Sequence, residues 1–434
     1  MNVSEIAARA KQASYILGAL PPETKDRALN AMACALRVHA DEILAANQLD
    51  LQEAKRAVEA GEMKPALYER LKLTREKLEV VIRGVEELVE LPDPVGNVLA
   101  ATELDEGLNL YKVSCPIGLI GVIFEARPDV VPQIAALAAK SGNAVVLKGG
   151  REALHTNDAL AKVLQNALAS VPGYPPEALN LIHTREESAQ MLALDQFFDL
   201  IIPRGGNSLI AYVKANTKIP VLGHADGVCH IFVARSADVE MAKKICIDAK
   251  NQYPSACNAL ETLLIDENWP DHYKKELLGA LVKSGVELFG GADVAALAPV
   301  RGPVTDWHTE YGEKKLSVKQ VKNVLDAVEH INRYGSHHTD GILSADHDEV
   351  QIFMDLTDSA GVYHNASTRF ADGYRYGFGA EVGISTGKTH ARGPVGLEGL
   401  TIYKYKLYGN GQIVADYTGA QAKPFTHKKI GGNI

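Results

Sequence analysis

The 434-residue chain lacks most of the features that would narrow its class at once. Its five cysteines, Cys34, Cys115, Cys229, Cys246 and Cys257, are odd in number and form no C-x-x-C pair. That argues against a disulfide framework or a zinc site, and for a reducing, cytosolic compartment. No apolar run reaches the roughly 18 residues of a membrane-spanning helix; the run from Pro116 to Phe124 stops at Glu125. Met1 to Leu20 is Ala-rich and amphipathic, with Glu5, Arg9 and Lys11 where a secretion signal would need an apolar core. There is no basic block: 45 Lys and Arg against 54 Asp and Glu leave a net charge of −9. Neither nucleic acid nor an anionic membrane is therefore expected as a partner. The dinucleotide fingerprint G-x-G-x-x-G is missing too. What remains is a globular composition, 46% apolar and 23% charged, on a length that at roughly 150 residues per domain allows two to four domains.

Hydrophobic spacing then sorts the chain. Through the first hundred residues Ile6, Leu17 and Leu20, then Met32, Leu36, Ile43 and Leu44, then Leu78, Val81, Ile82, Val85 and Leu88 recur at helical intervals. Pro21-Pro22-Glu23 and Thr74 read as helix starts. Leu108, Leu110 and Val113 alternate with polar residues near Gly107, which predicts a hairpin. Short apolar strands follow at Ile117 to Phe124, Ala144 to Leu147, Ala178 to Ile182, Leu200 to Ile202 and Pro220 to Leu222. Helical runs separate them at Val130 to Ala139, Asp158 to Ala169, Glu186 to Leu194 and Ser208 to Asn216. This beat predicts a parallel sheet with crossover helices and ligands beyond the carboxyl ends of its strands. A second α/β series has strands Val228 to Val233, Leu260 to Ile265 and Val286 to Leu288, with helices from Val239 and Trp269. From Leu400, Thr401, Tyr403, Tyr405 and Leu407 alternate as in a strand, and pairing with another subunit is the economical way to cover its edge.

Several segments could carry chemistry. Pro203-Arg204-Gly205-Gly206-Asn207 lies between a strand and a helix, and is either a plain β–α turn or a place where N–H groups face a pyrophosphate. Lys148-Gly149-Gly150-Arg151 also follows a strand, as solvated loop residues or as contacts to a ribose or 2′-phosphate. Gly383-Ile384-Ser385-Thr386-Gly387-Lys388-Thr389 resembles a phosphate loop with one residue too few between its glycines, so a phosphotransferase is an alternative of another class. Cys257 stands apart from the other cysteines, in the polar loop Gln252-Tyr253-Pro254-Ser255-Ala256-Cys257-Asn258-Ala259 just before an apolar strand. A free thiol is only about 3% thiolate at pH 7, so a nucleophilic role calls for N–H groups or a cation beside it. The pair His337-His338 reads as a solvated turn, since adjacent residues do not face one metal.

Four stretches carry a family resemblance: Tyr253 to Thr262; Ile202 to Gly206; Gly121 to Pro128; and Asn365 to Phe370 together with Gly379-Ala380-Glu381-Val382 and His390-Ala391-Arg392-Gly393-Pro394. They resemble the γ-glutamyl phosphate reductases, a reductive branch of the aldehyde dehydrogenase superfamily, from about Ala8 to about Tyr408. The resemblance implies an aldehyde dehydrogenase-like α/β fold of two Rossmann-like parallel-sheet domains and a small β oligomerisation element. Residues 1–100 and 116–227 would bind NADP(H), residues 228–398 would be catalytic, and 101–115 with 399–434 would assemble a homo-oligomer. It implies reduction of L-glutamyl 5-phosphate by NADPH through a Cys257 thioester, with oxyanion donors at Cys257 and Asn258. No metal is implied, and glutamate 5-kinase is a channelling partner.

The resemblance also assigns Lys148, Arg151, Arg204, Gly205, Gly206 and Glu310 to the cofactor, and Arg127, Asn365, Arg369 and Arg392 to the substrate. An Arg at 151, where NAD-preferring relatives carry an acid, points to NADP. Phe124 to Asp129 contains no Asn for the oxyanion, and Arg127 falls to the departing phosphate. His224 stands where oxidative relatives place a water-activating Glu, with Asp226 close by. An oxidative semialdehyde dehydrogenase is the alternative within the superfamily, and a binding protein on an inactive dehydrogenase scaffold is another outside it.

Overall fold

The computed structural model describes residues 2–223 and 226–431. The N-terminal third is helical: Val3–Leu17, Pro22–Val38, Ala40–Glu59, Pro65–Leu71 and Arg75–Glu90. Capping chemistry sets where they begin. Asn2 accepts from the Glu5 N–H at 2.9 Å while its own N–H donates to Glu5, a capping box. Pro22 occupies the first turn of its helix, and the Thr74 hydroxyl accepts from the Lys77 N–H. In the first helix Val3, Ala7, Ala10, Ser14 and Leu17 are buried at helical intervals and join one core with the first sheet.

That sheet is parallel, in the order Leu179–Ile182, Ala144–Lys148, Leu119–Phe124, Leu200–Arg204. Leu119–Phe124 is buried at every residue, as a central strand covered on both faces must be. Helices Val130–Ser141, Leu154–Ala169 and Arg185–Leu192 connect its strands and Asn207–Ala215 follows the last; Leu154–Ala169 starts four residues before the expected Asp158. Pro220 to Leu222 is a correction: it makes only a single bridge, Val221 to Ile201.

The second sheet is also parallel and has six strands, Gly361–His364, Thr339–Leu343, Cys229–Val233, Leu260–Asp266, Lys315–Val321 and Glu287–Phe289. Three of these, and the helices Val324–Tyr334 and His347–Leu356, do not stand out in the sequence. Lys315–Val321 interleaves Lys and Gln with its apolar residues, and Thr339–Leu343 opens Thr-Asp-Gly, so neither looks like a core strand. The polar residues are nonetheless satisfied. Buried Asp340 accepts from the His230 N–H at 2.7 Å, from His230 Nδ1 at 2.9 Å and from the Ser359 hydroxyl at 2.5 Å, tying two neighbouring strands to the segment that leads into a third. The helix expected from Trp269 begins at Asp271, after Pro270, while the Trp269 ring is buried with its Nε1–H on the Ala237 carbonyl at 3.0 Å.

The hairpin is Val98–Asp105 and Leu108–Pro116. The tail strand Thr401–Tyr408 pairs antiparallel with Leu108–Pro116 of the same chain, from Thr401 opposite Pro116 to Tyr408 opposite Asn109. This corrects the expectation of a partner subunit across that edge: the hairpin's outer strand has a free ladder in the same chain, and the tail takes it. Lys428–Lys429 closes the other side of this sheet on Val98–Asp105. A short ribbon, Gly383–Ser385 with Gly393–Val395, carries Val382, Ala391 and Val395 into the core of the first sheet.

Candidate active site

Cys257 lies three residues before the strand Leu260–Asp266, and His338 one residue before Thr339–Leu343, so both sit at the amino ends of the second sheet. The first sheet instead offers its carboxyl ends, where Glu125 to Asp129, Lys148 and Gly205-Gly206 lie. The carboxyl-end expectation was for the first sheet, and the segments singled out there lie at those ends. Cys257 Sγ is 3.2 Å from His338 Nε2, and the imidazole is fully buried with Nδ1 2.9 Å from the Thr339 hydroxyl. The solvated-turn reading of His337-His338 is corrected for His338. Burial pushes the Cys257 thiol up to about 12; Glu310 and Glu381 add to the rise, and Arg204 and Arg369 oppose it. The two guanidinium groups are present, but burial outweighs them in the resting protein.

Backbone packing holds the nucleophile loop from below. A Cβ on Gly227 would fall 2.1 Å from the Cys257 carbonyl oxygen and 2.4 Å from its Cα, so only glycine fits there. The Cys229 thiol donates to that same carbonyl at 3.3 Å. Asn258 donates from Nδ2 to the Ala371 carbonyl at 2.8 Å and is buried, which ties its side chain to the Asn365 to Ala371 segment. Among the described residues the backbone N–H groups of Cys257 and Asn258 meet no acceptor, as oxyanion donors would require.

Burial raises the pKa of Glu310, and the Gly227 N–H opposes that rise. Arg204, Arg369 and Glu381 act on the thiol, as Glu310 does, and Arg127 acts on Arg204. Burial lowers the pKa of the Arg204 guanidinium, with Glu381 opposing and Arg127 adding to the fall. Arg204 passes so close to Gly383 that a Cβ there would lie 2.8 Å from Nη1. Arg204 was read as a cofactor contact; its neighbours in the structure are these groups around Cys257. Arg369 is buried, donates from Nε to Gln252 at 2.9 Å and lies over the Tyr253 ring.

One expected substrate contact, Asn365, is not brought to this cluster. Asn365 spends both ends of its amide on Ser344, whose N–H and carbonyl lie 3.1 Å away. Ser344 is six residues beyond His338, about 20 Å along the strand at roughly 3.3 Å per residue, so Asn365 is at the opposite end of the sheet. Arg392 donates to Asp358 at 3.0 Å, and Lys388 meets the same carboxylate at 2.7 Å. Both cations fasten the Gly383 loop. That loop is a two-stranded ribbon, and its Lys is taken by Asp358, so the strand–loop–helix setting of a phosphotransferase is missing.

The cofactor-side residues gather at the carboxyl ends of the first sheet. Burial lowers the pKa of Lys148, and Glu152, Arg185, Glu125 and Arg151 all act on it, so Arg185 joins the pair predicted there. Gly206 caps the helix Asn207–Ala215 and donates to Glu125 at 3.0 Å; a Cβ on Gly205 would strike Glu125 and Leu209. Asp226 accepts from the Asn207 amide. His224, the position opposite the water-activating glutamate of oxidative relatives, lies outside the described residues.

Sequence reasoning passed over His338, Glu381, Glu261, Lys250 and Arg185. Glu381 and Glu261 lie inside the resemblance motifs, and Glu261 is a charge in the middle of an apolar strand, which is itself a signal of a buried partner. His338 gave no such signal, because 81 residues separate it from Cys257 and only the sheet order brings them together.

Comparison with known proteins agrees with this geometry. The family model described as the aldehyde dehydrogenase family matches residues 1–298. The γ-glutamyl phosphate reductase of Brachyspira hyodysenteriae is 50% identical over 432 residues, covering 99% of this chain and 100% of the relative. That of Methanococcoides burtonii is 49% identical over 440 residues, covering 100% and 98%. The crystal structure of γ-glutamyl phosphate reductase from Thermotoga maritima matches with a TM-score of 0.91 at 38% identity, over 95% of this chain and 100% of that one. Two parallel α/β sheets, a small antiparallel sheet and a cysteine loop ahead of a strand of the second define the class, an oxidoreductase with the aldehyde dehydrogenase fold. Within that class the chain belongs to the γ-glutamyl phosphate reductase family.

Proposed function

We propose that the chain reduces L-glutamyl 5-phosphate to L-glutamate 5-semialdehyde and phosphate, with NADPH as reductant and Cys257 as nucleophile, the second step from glutamate to proline. The observation that carries this is the contact of Cys257 Sγ with His338 Nε2 at 3.2 Å, with Arg204 and Arg369 acting on the same thiol. His338 accepts the thiol proton as Sγ attacks the acyl carbonyl; the Sγ–C bond forms, the C–O bond to phosphate breaks, and a thioester remains. The N–H groups of Cys257 and Asn258 hold the oxyanion. Arg127 and Arg204 receive the phosphate, a dianion suited to guanidinium forks, and Arg369 is placed for the substrate's carboxylate. Collapse of the reduced adduct breaks the Sγ–C bond, and the proton held on His338 returns to sulfur as the aldehyde leaves. Asp226, engaged by Asn207, is not presented as a base for water, which favours reduction over hydrolysis.

The residues at the carboxyl ends of the first sheet fit a dinucleotide with a 2′-phosphate. Lys148, Arg151 and Arg185 form a cationic cluster there, beside the Gly205-Gly206 turn that opens the helix Asn207–Ala215. NADPH, when bound there, supplies a hydride, and Glu310 would hold its nicotinamide ribose. In this reading residues 1–100 and 116–227 are the cofactor domain, 228–398 the catalytic one, and the antiparallel sheet of 101–115 and 399–434 an assembly element. The outer edge of Thr401–Tyr408, with exposed Ile402, Tyr403, Tyr405 and Leu407, favours a homo-oligomer in the cytoplasm. The short life of an acyl phosphate favours direct transfer from a glutamate 5-kinase.

Supplying semialdehyde and NADP⁺ without phosphate tests the reading. The peptide carrying Cys257 should gain the mass of a glutamyl group, and phosphate should discharge it. Continued turnover with an unmodified peptide would contradict the thioester.

A further inference from the structure

Lys250 and Glu261 form an ion pair with no solvent exposure on either side chain, Nζ to Oε2 at 2.8 Å. Nothing in the catalytic steps uses them, and a buried pair of this kind is weak evidence for stability, because apolar residues of the same volume serve a core as well. The remaining bonds of Glu261 are more telling. Its Oε2 accepts from the Tyr311 N–H at 3.2 Å and its Oε1 from the Gly312 N–H at 3.3 Å, so one carboxylate takes the two N–H groups directly after Glu310. Gly312 has φ +60°, the left-handed turn that allows both N–H groups to face one acceptor. Tyr311 is fixed from the far side, its ring stacked on Phe289 at 5.4 Å and its hydroxyl 3.0 Å from Ser317.

These contacts close a ring. Glu261 lies four residues after Cys257 on the strand that the nucleophile loop enters. It holds the Tyr311-Gly312 backbone; the Gly227 N–H acts on Glu310 and opposes the rise that burial gives its pKa; and the Gly227 backbone lies directly against Cys257. A carboxylate offers acceptor sites to two N–H groups and an ammonium together; burial pushes the Glu261 carboxyl up to about 7, and Lys250 with the Tyr311 and Gly312 N–H groups opposes that rise.

We infer that Lys250 and Glu261 are positioning residues that set Glu310 at a fixed place relative to Cys257, and thereby govern how the nicotinamide end of the cofactor is held against the thiol. This rests on the reading above that Glu310 faces the cofactor. Glu261 sits at the start of the strand that the nucleophile loop enters, so the Glu310 segment is held against a fixed element beside that loop.

The test measures NADP⁺ affinity, KM for NADPH, kcat and the rate of Cys257 alkylation without cofactor, in full-length Lys250→Met/Glu261→Gln and Glu261→Asp. Glu261→Asp keeps the charge and shortens the reach by one methylene, and serves if the double variant does not fold. The expected result is at least a tenfold weaker NADP⁺ affinity and higher KM for NADPH, with the alkylation rate and the KM for semialdehyde within twofold of wild type. Lys250→Arg should recover most of the affinity. Wild-type cofactor affinity in the folded variants, or an equal fall in cofactor binding and alkylation, would overturn the inference. Glu310→Gln run in parallel separates the two readings. If it weakens NADP⁺ binding while the pair variants do not, the positioning inference alone fails. If it changes nothing, the placement of Glu310 at the cofactor fails and the inference with it.

Discussion

The Cys257 thiol is kept protonated by burial, with the carboxylates Glu310 and Glu381 adding to the effect and Arg204 and Arg369 opposing it. With a pKa of about 12, about 10⁻⁴ of the thiol is ionised at pH 8, against roughly a quarter of a free thiol. Iodoacetamide should therefore modify Cys257 in the resting enzyme at least a hundredfold more slowly than a free cysteine at pH 8, and the rate should keep rising to pH 11. A plateau near pH 9 would contradict the burial argument. The same shift bears on stability. A group whose pKa is higher folded than unfolded contributes stability below the unfolded value, and loses it as pH rises through the folded one. The window here runs from the ordinary thiol value of 9.0 to about 12, and buried Cys246, raised over the same interval by desolvation, adds to it. Denaturation at pH 10 and above should be less steeply pH-dependent in Cys257→Ala than in wild type. At His338, Gln in place of His removes the proton acceptor and keeps the volume, and should lower kcat by about 10²–10⁴-fold with little change in melting temperature. Arg151→Ala with Arg185→Ala should raise KM for NADPH at least tenfold while leaving KM for NADH nearly unchanged, as loss of a 2′-phosphate contact requires. Of these residues Cys257 and Arg151 were legible in the sequence, because each sits in a segment whose local pattern is unusual. His338 and Arg185 were not, because their partners come from other strands.

At the scale of elements, the first sheet could be read almost strand by strand, since short, mostly apolar runs alternate with helices. The second sheet was half legible. Lys315–Val321 and Thr339–Leu343 carry polar residues that only their tertiary partners satisfy, such as Asp340 by His230 and Ser359. The tail strand was recognised, but its partner was not, because an alternating pattern states that an edge needs covering and not by which strand. The nucleophile loop depends on its approach to Gly227, and this gives a direct check. Gly227→Ala places a methyl within 2.1 Å of the Cys257 carbonyl oxygen. It should move the loop, cost about 1–3 kcal/mol of stability, and lower kcat/KM at least tenfold. Wild-type kinetics in that variant would mean the loop is not held by this contact.

For the whole molecule, the two sheets meet the reaction from opposite ends. The first presents the carboxyl ends of its strands, where helix N-termini and loop glycines suit phosphates; the second presents amino ends, where Cys257 and His338 precede their strands. Which end of the second sheet carries Cys257 and His338 cannot be read from spacing, because it depends on the order in which distant strands assemble. The net charge of −9 hides two local groups of cations, Arg204 and Arg369 acting on the thiol with Arg127 beside Arg204, and Arg151 and Arg185 acting on Lys148 at the first sheet. The central claim is that an acyl group on Cys257 is exchanged with phosphate and not with water. It is tested most directly by the rate of NADP⁺ reduction with semialdehyde at increasing phosphate. The account expects a rate that saturates with phosphate and falls to near zero without it; turnover independent of phosphate would contradict it.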